Sequence, residues 1–286
     1  GIDGSIITHP MVWKASGHLD AFTDPLIECK ECHQRVRADS EDVKKDHEKS
    51  HKGKTVEWTE PKSFNLMTEV YLGVTEPKQK AYLRGEITQG VFVNFKNVID
   101  STRVKIPFGI AQIGKAFRNE ITTGNFTFRS REFEQMELEY FIKPDEKDAD
   151  NTFDFWKNER MNWYVSLGMN KENLHFRAHE DNERAHYATQ ALDIEYKSPF
   201  GWSEFEGIHN RGDYDLKNHN LKYKDEDGSE YTPWVLETSG GVDRAALFFL
   251  IDAYHEEKDP SARASTELSR TSSGPRRIVL KLSPRL

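Results

Sequence analysis

Residues 126–142 read as a strand in which, from 135 onward, apolar side chains alternate with polar and acidic ones, and this pattern limits the folds open to the chain more than any other feature. Met136, Leu138, Tyr140 and Ile142 share one set of alternate positions; Gln135, Glu137 and Glu139 share the other. Successive side chains of a strand point to opposite faces, so the pattern predicts a strand packed on helices by one face and polar on the other. A row of carboxylates either faces solvent or lines a site, and by pattern alone a solvated face is the expectation. A second strand is expected over 110–119, with TTGN at 122–125 supplying turn chemistry between the two. Shorter strands are expected at 174–180, 192–197, 202–209 and 233–238. Helical spacing of apolar residues predicts helices over 11–22, 89–99 and 153–167. SGG at 239–241 leads into a strongly apolar helix starting at Val242. Strands outnumber helices and no β-α-β alternation is visible. The chain reads as α+β, an antiparallel sheet flanked by helices gathered on one side.

Composition narrows the functional classes. The 286 residues carry 40 basic and 48 acidic side chains, a net charge of −8, which argues against broad coating of nucleic acid or membrane. Aromatic residues at 12% exclude a disordered chain. The longest apolar run, Ala245 to Ile251, falls far short of the roughly 18 residues that span a bilayer. No cationic stretch followed by an apolar one opens the sequence. The expectation is a cytoplasmic protein with no membrane partner and, lacking an initiator Met, a fragment.

Residues 28–60 differ from the rest: they hold both cysteines, three of the 11 histidines and the charge-rich run SEDVKKDHEKSHKGK. With almost nothing to bury, the stretch reads as a surface insertion. Cys29-x2-Cys32, then 14 residues, then His47-x3-His51 is a spacing that closes a tetrahedral structural zinc site, with His33 a competing ligand. The other reading is two reduced surface cysteines beside solvated histidines. HEKSH at 47–51 also fits the H-E-x-x-H zinc-hydrolase pattern, in which two histidines bind the metal and Glu48 activates water. GIAQIGK at 109–115 is one residue short of a phosphate-binding loop, because Ala116 stands where Ser or Thr would hold Mg2+. It reads as a chance match inside a strand. The block 107–142 gathers Arg118, Arg129 and Arg131 with Glu120, Glu132, Glu134 and Glu137. Arginine forks suit phosphate oxygens and carboxylates suit an amine or Mg2+, so the block suits a ligand with a phosphate at one end and an ammonium at the other. A ladder of cross-strand ion pairs is the plainer alternative.

FRNE followed by FRSREFEQMELEYF resembles the second signature motif of class II aminoacyl-tRNA synthetases, and of the glycyl-tRNA synthetase family in particular. In family order around it stand GIDGSII, VWKASGHLDAFTDPLIECKEC, FNLM at 64–67, YLRGEITQGVFVNF at 82–95 and DIEYKSPFGWSEFEGIHNRGDYDL at 193–216. PWVLETSGGVDRAALFFLIDAY resembles the third class II motif. The family usually has Pro-Glu-Thr-Ala where this chain has Gly85-Glu86-Ile87-Thr88, and Ala and Thr at the positions of His209 and Gly212. The second cysteine pair often seen in its zinc insertion is absent.

The resemblance implies a class II catalytic domain over 1–256, with 28–60 a zinc-knuckle-like insertion, then a linker and the start of an anticodon-binding domain over 257–286. It implies ATP, Mg2+ and structural Zn2+ as cofactors, glycine and tRNA(Gly) as substrates, and a homodimer. It implies Arg118 and Arg244 as catalytic, the first bridging the α-phosphate and the amino-acid carboxylate, the second meeting the γ-phosphate. Around glycine it implies Glu86, Phe133, Glu134, Gln135, Met136, Glu137, Glu237, Thr238, Ser239, Gly240 and Gly241. Around ATP it implies Asn119 and Glu120 at the adenine end, then Phe128, Arg129, Ser130, Arg131 and Glu132, with Phe133 stacked on adenine. Phe205, Gly241, Val242 and Asp243 complete the nucleotide set, and Glu204 and Glu237 would hold Mg2+. The rival readings are a non-catalytic accessory protein of the same class and the zinc hydrolase using HEKSH.

Overall fold

A computed structural model describes residues 1–52, 55–180, 188–258 and 276–282. At its centre lies a six-stranded antiparallel sheet in the order β7-β8-β14-β11-β10-β9. Its strands are β7 (Phe108–Phe117), β8 (Glu132–Ile142), β9 (Leu174–Ala178), β10 (Gln190–Ser198), β11 (Gly201–Gly212) and β14 (Trp234–Gly241). The GIAQIGK segment is therefore strand, as expected. β8 begins six residues later than the expected strand. Asn125 and Phe126 take positive φ values of 53° and 56°, which an extended strand cannot contain, and a short 3-10 turn occupies Phe126–Phe128.

Two helices cover one face of the sheet, α5 (Glu146–Ser166) and α7 (Val242–Ala253). Tyr164 and Phe248 from these helices pack with Ile194, Tyr196, Phe205 and Ile208. Met136 joins that cluster, and Tyr140 and Ile142 pack beside Ala149 of α5, so the apolar row of β8 meets helices as expected. α5 starts seven residues before its apolar stripe, because Asp145 caps it by accepting from the amide of Asp148. The opposite face also receives a helix, α4 (Thr88–Thr102), so helices flank both faces rather than one. Past Glu139 that face turns apolar, and Phe141, Ile110 and Val235 pack under Val91, Phe92 and Phe95. Each such fully buried side chain contributes about 1.5–3 kcal/mol. The acidic row is consequently buried, against the solvated expectation: Gln135 is 6%, Glu137 5% and Glu139 0% exposed.

The expected helix over 11–22 is two, α1 (Pro10–Ala15) and α2 (His18–Ala21), parted by Gly17 at φ 79°. A three-stranded sheet joins β1 (Ile7–Thr8), β6 (Gln79–Leu83) and β5 (Thr68–Leu72). The insertion has a small fold of its own. β2 (Thr23–Glu28) lies between β3 (Arg35–Arg37) and β4 (Lys62–Asn65), with α3 (Glu41–Ser50) beside them, and Cys29 and Val36 are fully buried. A short α6 (Tyr214–Asn218) and the ladder of β12 (Tyr223–Lys224) with β13 (Glu230–Tyr231) precede β14. β15 (Tyr254–Lys258) pairs with β16 (Arg276–Leu280), so the boundary expected at 256 falls inside a strand. Most of the expected linker, residues 259–275 and 283–286, lies outside the described residues.

Candidate active site

The polar face of the sheet floors a cavity of about 430 Å³. Arg118 and Arg244, 126 positions apart in sequence, both line it. Arg118 leaves the end of β7, donates Nε to the carbonyl of Gly85 (3.1 Å), and lies against the rings of Phe22 (5.1 Å) and Phe133 (5.3 Å). Among the described residues no carboxylate pairs with it. Arg244 stands in the first turn of α7 behind the Gly241 N-cap. It lies 4.3 Å over Phe128, donates Nε to the Phe128 carbonyl (3.0 Å) and meets Glu204 at 3.6 Å. Two guanidinium groups on aromatic rings beside a helix N-terminus make an anion site. Glu120, Arg129, Ser130 and Asp243 line the same region.

Deeper in, the cavity is acidic. The cross-strand register sets Glu137 opposite Ser239 and Glu139 opposite Glu237. Ser239 and Gln135 donate to one oxygen of Glu137 (2.6 and 2.9 Å), and Thr88 donates to the other (2.5 Å) while also reaching Glu237 (3.2 Å). Glu86 comes from the segment before α4 and contacts His18 (3.1 Å) and Gln89 (3.1 Å). Arg211, 1% exposed, joins the group: it grips Asp215 at 2.7 and 3.0 Å and Glu237 at 2.6 Å. Burial works against an ionised Glu86, yet His18 and Arg211 outweigh it and hold this carboxyl well below the usual range. Burial likewise opposes an ionised Glu237, and Arg211 and His209 hold it down. For Glu137 no cation is among the leading influences: burial first, then Glu237 and Glu86, push it up to about 8. Glu139, fully buried with both oxygens unpartnered among the described residues, is pushed up by burial and by Glu237. The pocket holds more carboxylate than cation, which suits a small ammonium ligand.

Several expected contacts fall elsewhere. Alternation turns Met136, Thr238 and Gly240 to the α5/α7 face; a Cβ on Gly240 would meet Met136 at 2.9 Å. Glu132 is exposed and paired with Lys115. Arg131 donates to the Glu120 carbonyl (3.1 Å) and the Asn119 amide to the Leu66 carbonyl (2.8 Å), so these two hold the turn in shape; neither they nor Val242 line the cavity. Phe205 reaches the wall from the core, 1% exposed against Tyr164 and Phe248. Glu134 and Gly241 do line the cavity, with the Glu134 amide on Asp243 (2.7 Å). Glu204 and Glu237 cannot share one ion: Glu237 pairs with His209 across the strands, and Glu204 lies five residues along β11, about 16 Å at ~3.3 Å per residue. Arg211, Thr88 and His18 carried no signal as site residues; Arg211, near the end of β11, meets Asp215 of α6 only because the chain turns sharply between them.

In the insertion, ligand atoms of Cys29, Cys32, His47 and His51 lie within 4.8 Å of one another. Sulfur–nitrogen separations are 3.8 and 3.6 Å and the two Nε2 atoms are 3.0 Å apart. A zinc tetrahedron with bonds of ~2.3 Å to sulfur and ~2.0 Å to nitrogen has edges of about 3.3–3.8 Å. The donor set therefore fits zinc. His33 is not in it: its side chain is 76% exposed and bonded to Glu28. Two thiolates and two imidazoles fill all four positions, and Glu48 is exposed outside the cluster, so the arrangement lacks the open water position a zinc hydrolase needs.

Residues 70–253 match the family model described as tRNA synthetase class II core domain (G, H, P, S and T). The chain belongs to this class II tRNA synthetase core family. It is 47% identical over 297 residues to the Glycine–tRNA ligase of Borreliella burgdorferi strain ZS7, an overlap covering 100% of this chain and 63% of that protein. It is 44% identical over 310 residues to the Glycine–tRNA ligase of Thermobifida fusca, covering 100% of this chain and 65% of the relative. Against the Glycine–tRNA ligase of Caldanaerobacter subterraneus it is 47% identical over 317 residues, covering 99% and 65%. The chain thus spans just under two thirds of the length of these curated relatives. Among the described residues no helix is long and apolar enough to cross a membrane.

Proposed function

We propose that this chain is the catalytic core of a glycine–tRNA ligase, which activates glycine with ATP and passes the glycyl group to tRNA(Gly). The observation that carries this reading is a single cavity lined both by the guanidinium groups of Arg118 and Arg244 and by Glu86, Glu137, Glu237 and Ser239. Activation is attack of the glycine carboxylate on the α-phosphate of ATP, with departure of pyrophosphate. Two anions must meet, so the task is positioning and neutralisation of charge. Arg118, with no carboxylate partner among the described residues and stacked on aromatic rings, is suited to bridge the amino-acid carboxylate and the α-phosphate. Arg244 is suited to the outer phosphates. Glu137 and Ser239 take the ammonium, with Glu86 and Glu237 held ionised beside it. Nothing is smaller than glycine, so a packed pocket refuses an added methyl at about 1–3 kcal/mol. Mg2+ would be held chiefly by the phosphates, with Glu204 the carboxylate at the rim.

The domain division is part of the proposal: residues 1–256 form the catalytic unit, 28–60 a structural zinc knuckle, and 257–286 lead toward an anticodon-binding domain. A homodimer and a cytoplasmic location go with the same reading. The retained cluster of buried charge supports catalysis over an accessory role, since an inactive site has no use for so much desolvated charge. Glycine-dependent ATP–pyrophosphate exchange by the full-length enzyme tests the reading, with Arg118→Ala expected to lower it about 100-fold or more. An Arg118→Ala enzyme with wild-type exchange would overturn it.

A further inference from the structure

The cavity has a third corner that glycine activation leaves unused. One cross-strand row runs from Glu137 on β8 through Ser239 on β14 and Gly207 on β11 to Asp193 on β10. Asp193 is 2% exposed, and its carboxylate meets Nε2 of His179 at 2.7 Å. Both residues line the cavity with Ser239 and Glu137. Strand spacing of about 4.8 Å puts the Asp193 backbone about 10 Å from Ser239, near enough for the imidazole to reach past an amine held there. Gly207 between them has no side chain, and an added Cβ would stand 2.5 Å from Cε1 of His209. The His209 ring, bonded to Glu237 at 2.8 Å, lies 6.2 Å from the His179 ring. Two imidazole–carboxylate pairs thus face each other beside the place where the glycyl carbonyl would sit.

The hydrogen bonding sets the chemistry of His179. With Nε2–H donated to Asp193, the other ring nitrogen, Nδ1, is a lone-pair acceptor, and it has no hydrogen-bond partner among the described residues. A buried acceptor left without a donor is costly unless a ligand completes it. An imidazole oriented by a carboxylate, with its second nitrogen unpartnered among the described residues and covered from solvent, is the arrangement that takes a proton from a hydroxyl brought against it. Among the described residues the groups near the imidazole are Asp193 from β10, His209 and Glu204 from β11, and Arg177 of β9, two positions before it, which reaches Asp193 at 3.7 Å. Burial and Glu204 push Asp193 up only to about 6, so it is ionised at neutral pH and can hold an imidazolium.

Resting on the ligase reading, we propose that His179 is the catalytic base of the transfer step, acting on the terminal ribose hydroxyl of the acceptor RNA, with Asp193 fixing its tautomer. The hydroxyl O–H breaks and its proton moves to Nδ1. The oxygen forms an ester bond to the glycyl carbonyl carbon. The bond from that carbon to the phosphate oxygen breaks, and AMP leaves with the electron pair. The imidazolium then returns its proton to the departing phosphate or to water.

The test compares two half-reactions in the full-length enzyme. In His179→Gln, transfer from preformed glycyl-adenylate to tRNA in a single turnover should slow about 100-fold or more, while glycine-dependent exchange stays within about threefold of wild type. Asp193→Asn should slow transfer in the same direction by a smaller factor, again sparing exchange. Unchanged transfer in His179→Gln overturns the assignment. So does a parallel loss of exchange and transfer, which would make the imidazole part of the floor's structure. Absence of glycine-dependent exchange in the wild type would instead sink the ligase reading itself, so the two failures are distinguishable.

Discussion

Replacing Glu137 by glutamine should separate stability from function at one atom. The carboxyl is 5% exposed, and burial with Glu237 and Glu86 pushes it up to about 8. Between the ordinary carboxylate value of 4.5 and about 8 the folded chain keeps a proton that the unfolded chain releases. Stability contributed by this group therefore falls as pH rises through that window. From pH 4.5 to pH 7 the penalty accumulates at about 1.4 kcal/mol per pH unit, on the order of 3 kcal/mol. Glutamine escapes it and keeps the hydrogen bonds. Its Oε1 accepts from Ser239 and Gln135; its amide donates to the Thr88 hydroxyl, which turns its own hydrogen to Glu237 at 3.2 Å. Glu137→Gln should match wild type in thermal unfolding near pH 5 and exceed it at pH 8. Glycine's ammonium must displace the Glu137 proton before it meets a carboxylate, so the variant's KM for glycine should rise about 10-fold, the loss of a charged hydrogen bond worth about 1.5 kcal/mol. A variant destabilised equally at both pH values, or one that binds glycine normally, would refute the reasoning.

Arg211→Met should cost about 3–5 kcal/mol in urea unfolding, because Asp215 and Glu237 are left buried without their cation; a loss under 1 kcal/mol contradicts the buried-network account. Chelation should remove about one zinc per chain and expose residues 28–52 to proteolysis while leaving the central sheet intact by circular dichroism; full protection after chelation contradicts a metal-built knuckle. Cys29→Ser should lower zinc content in the same way, whereas His33→Ala should leave it unchanged.

The strand alternation of 135–142 was legible because period 2 is a local property. Its burial was not, since α4 and the Glu86 segment reach the acidic row from 50 residues away, and only the sheet register puts Glu237 beside Glu139. The same alternation explains why contiguous lists of site residues overreach. Glu137 faces the cavity and Met136 cannot, and Ser239 enters while Thr238 and Gly240 turn away. The clustering of Cys29, Cys32, His47 and His51 was readable from spacing alone, because all four lie within 23 residues and a helical turn joins the two histidines. His33 had the right chemistry, but its φ of 60° and its bond to Glu28 turn it outward. Arg211 looked like one charge among many. Its role depends on β11 entering the centre of the sheet, where a guanidinium at 1% exposure must have carboxylates around it.

The central claim is that one cavity grips phosphate with Arg118 and Arg244 and an ammonium with Glu137 and Ser239. A crystal structure with a non-hydrolysable glycyl-adenylate analogue tests it directly. The account predicts the ammonium within about 3.2 Å of Glu137 and Ser239, and the phosphate mimic within hydrogen-bond reach of Arg118. An analogue bound with its amine outside the Glu86, Glu137 and Glu237 cluster, or with Arg118 and Arg244 both out of reach of it, would contradict the account.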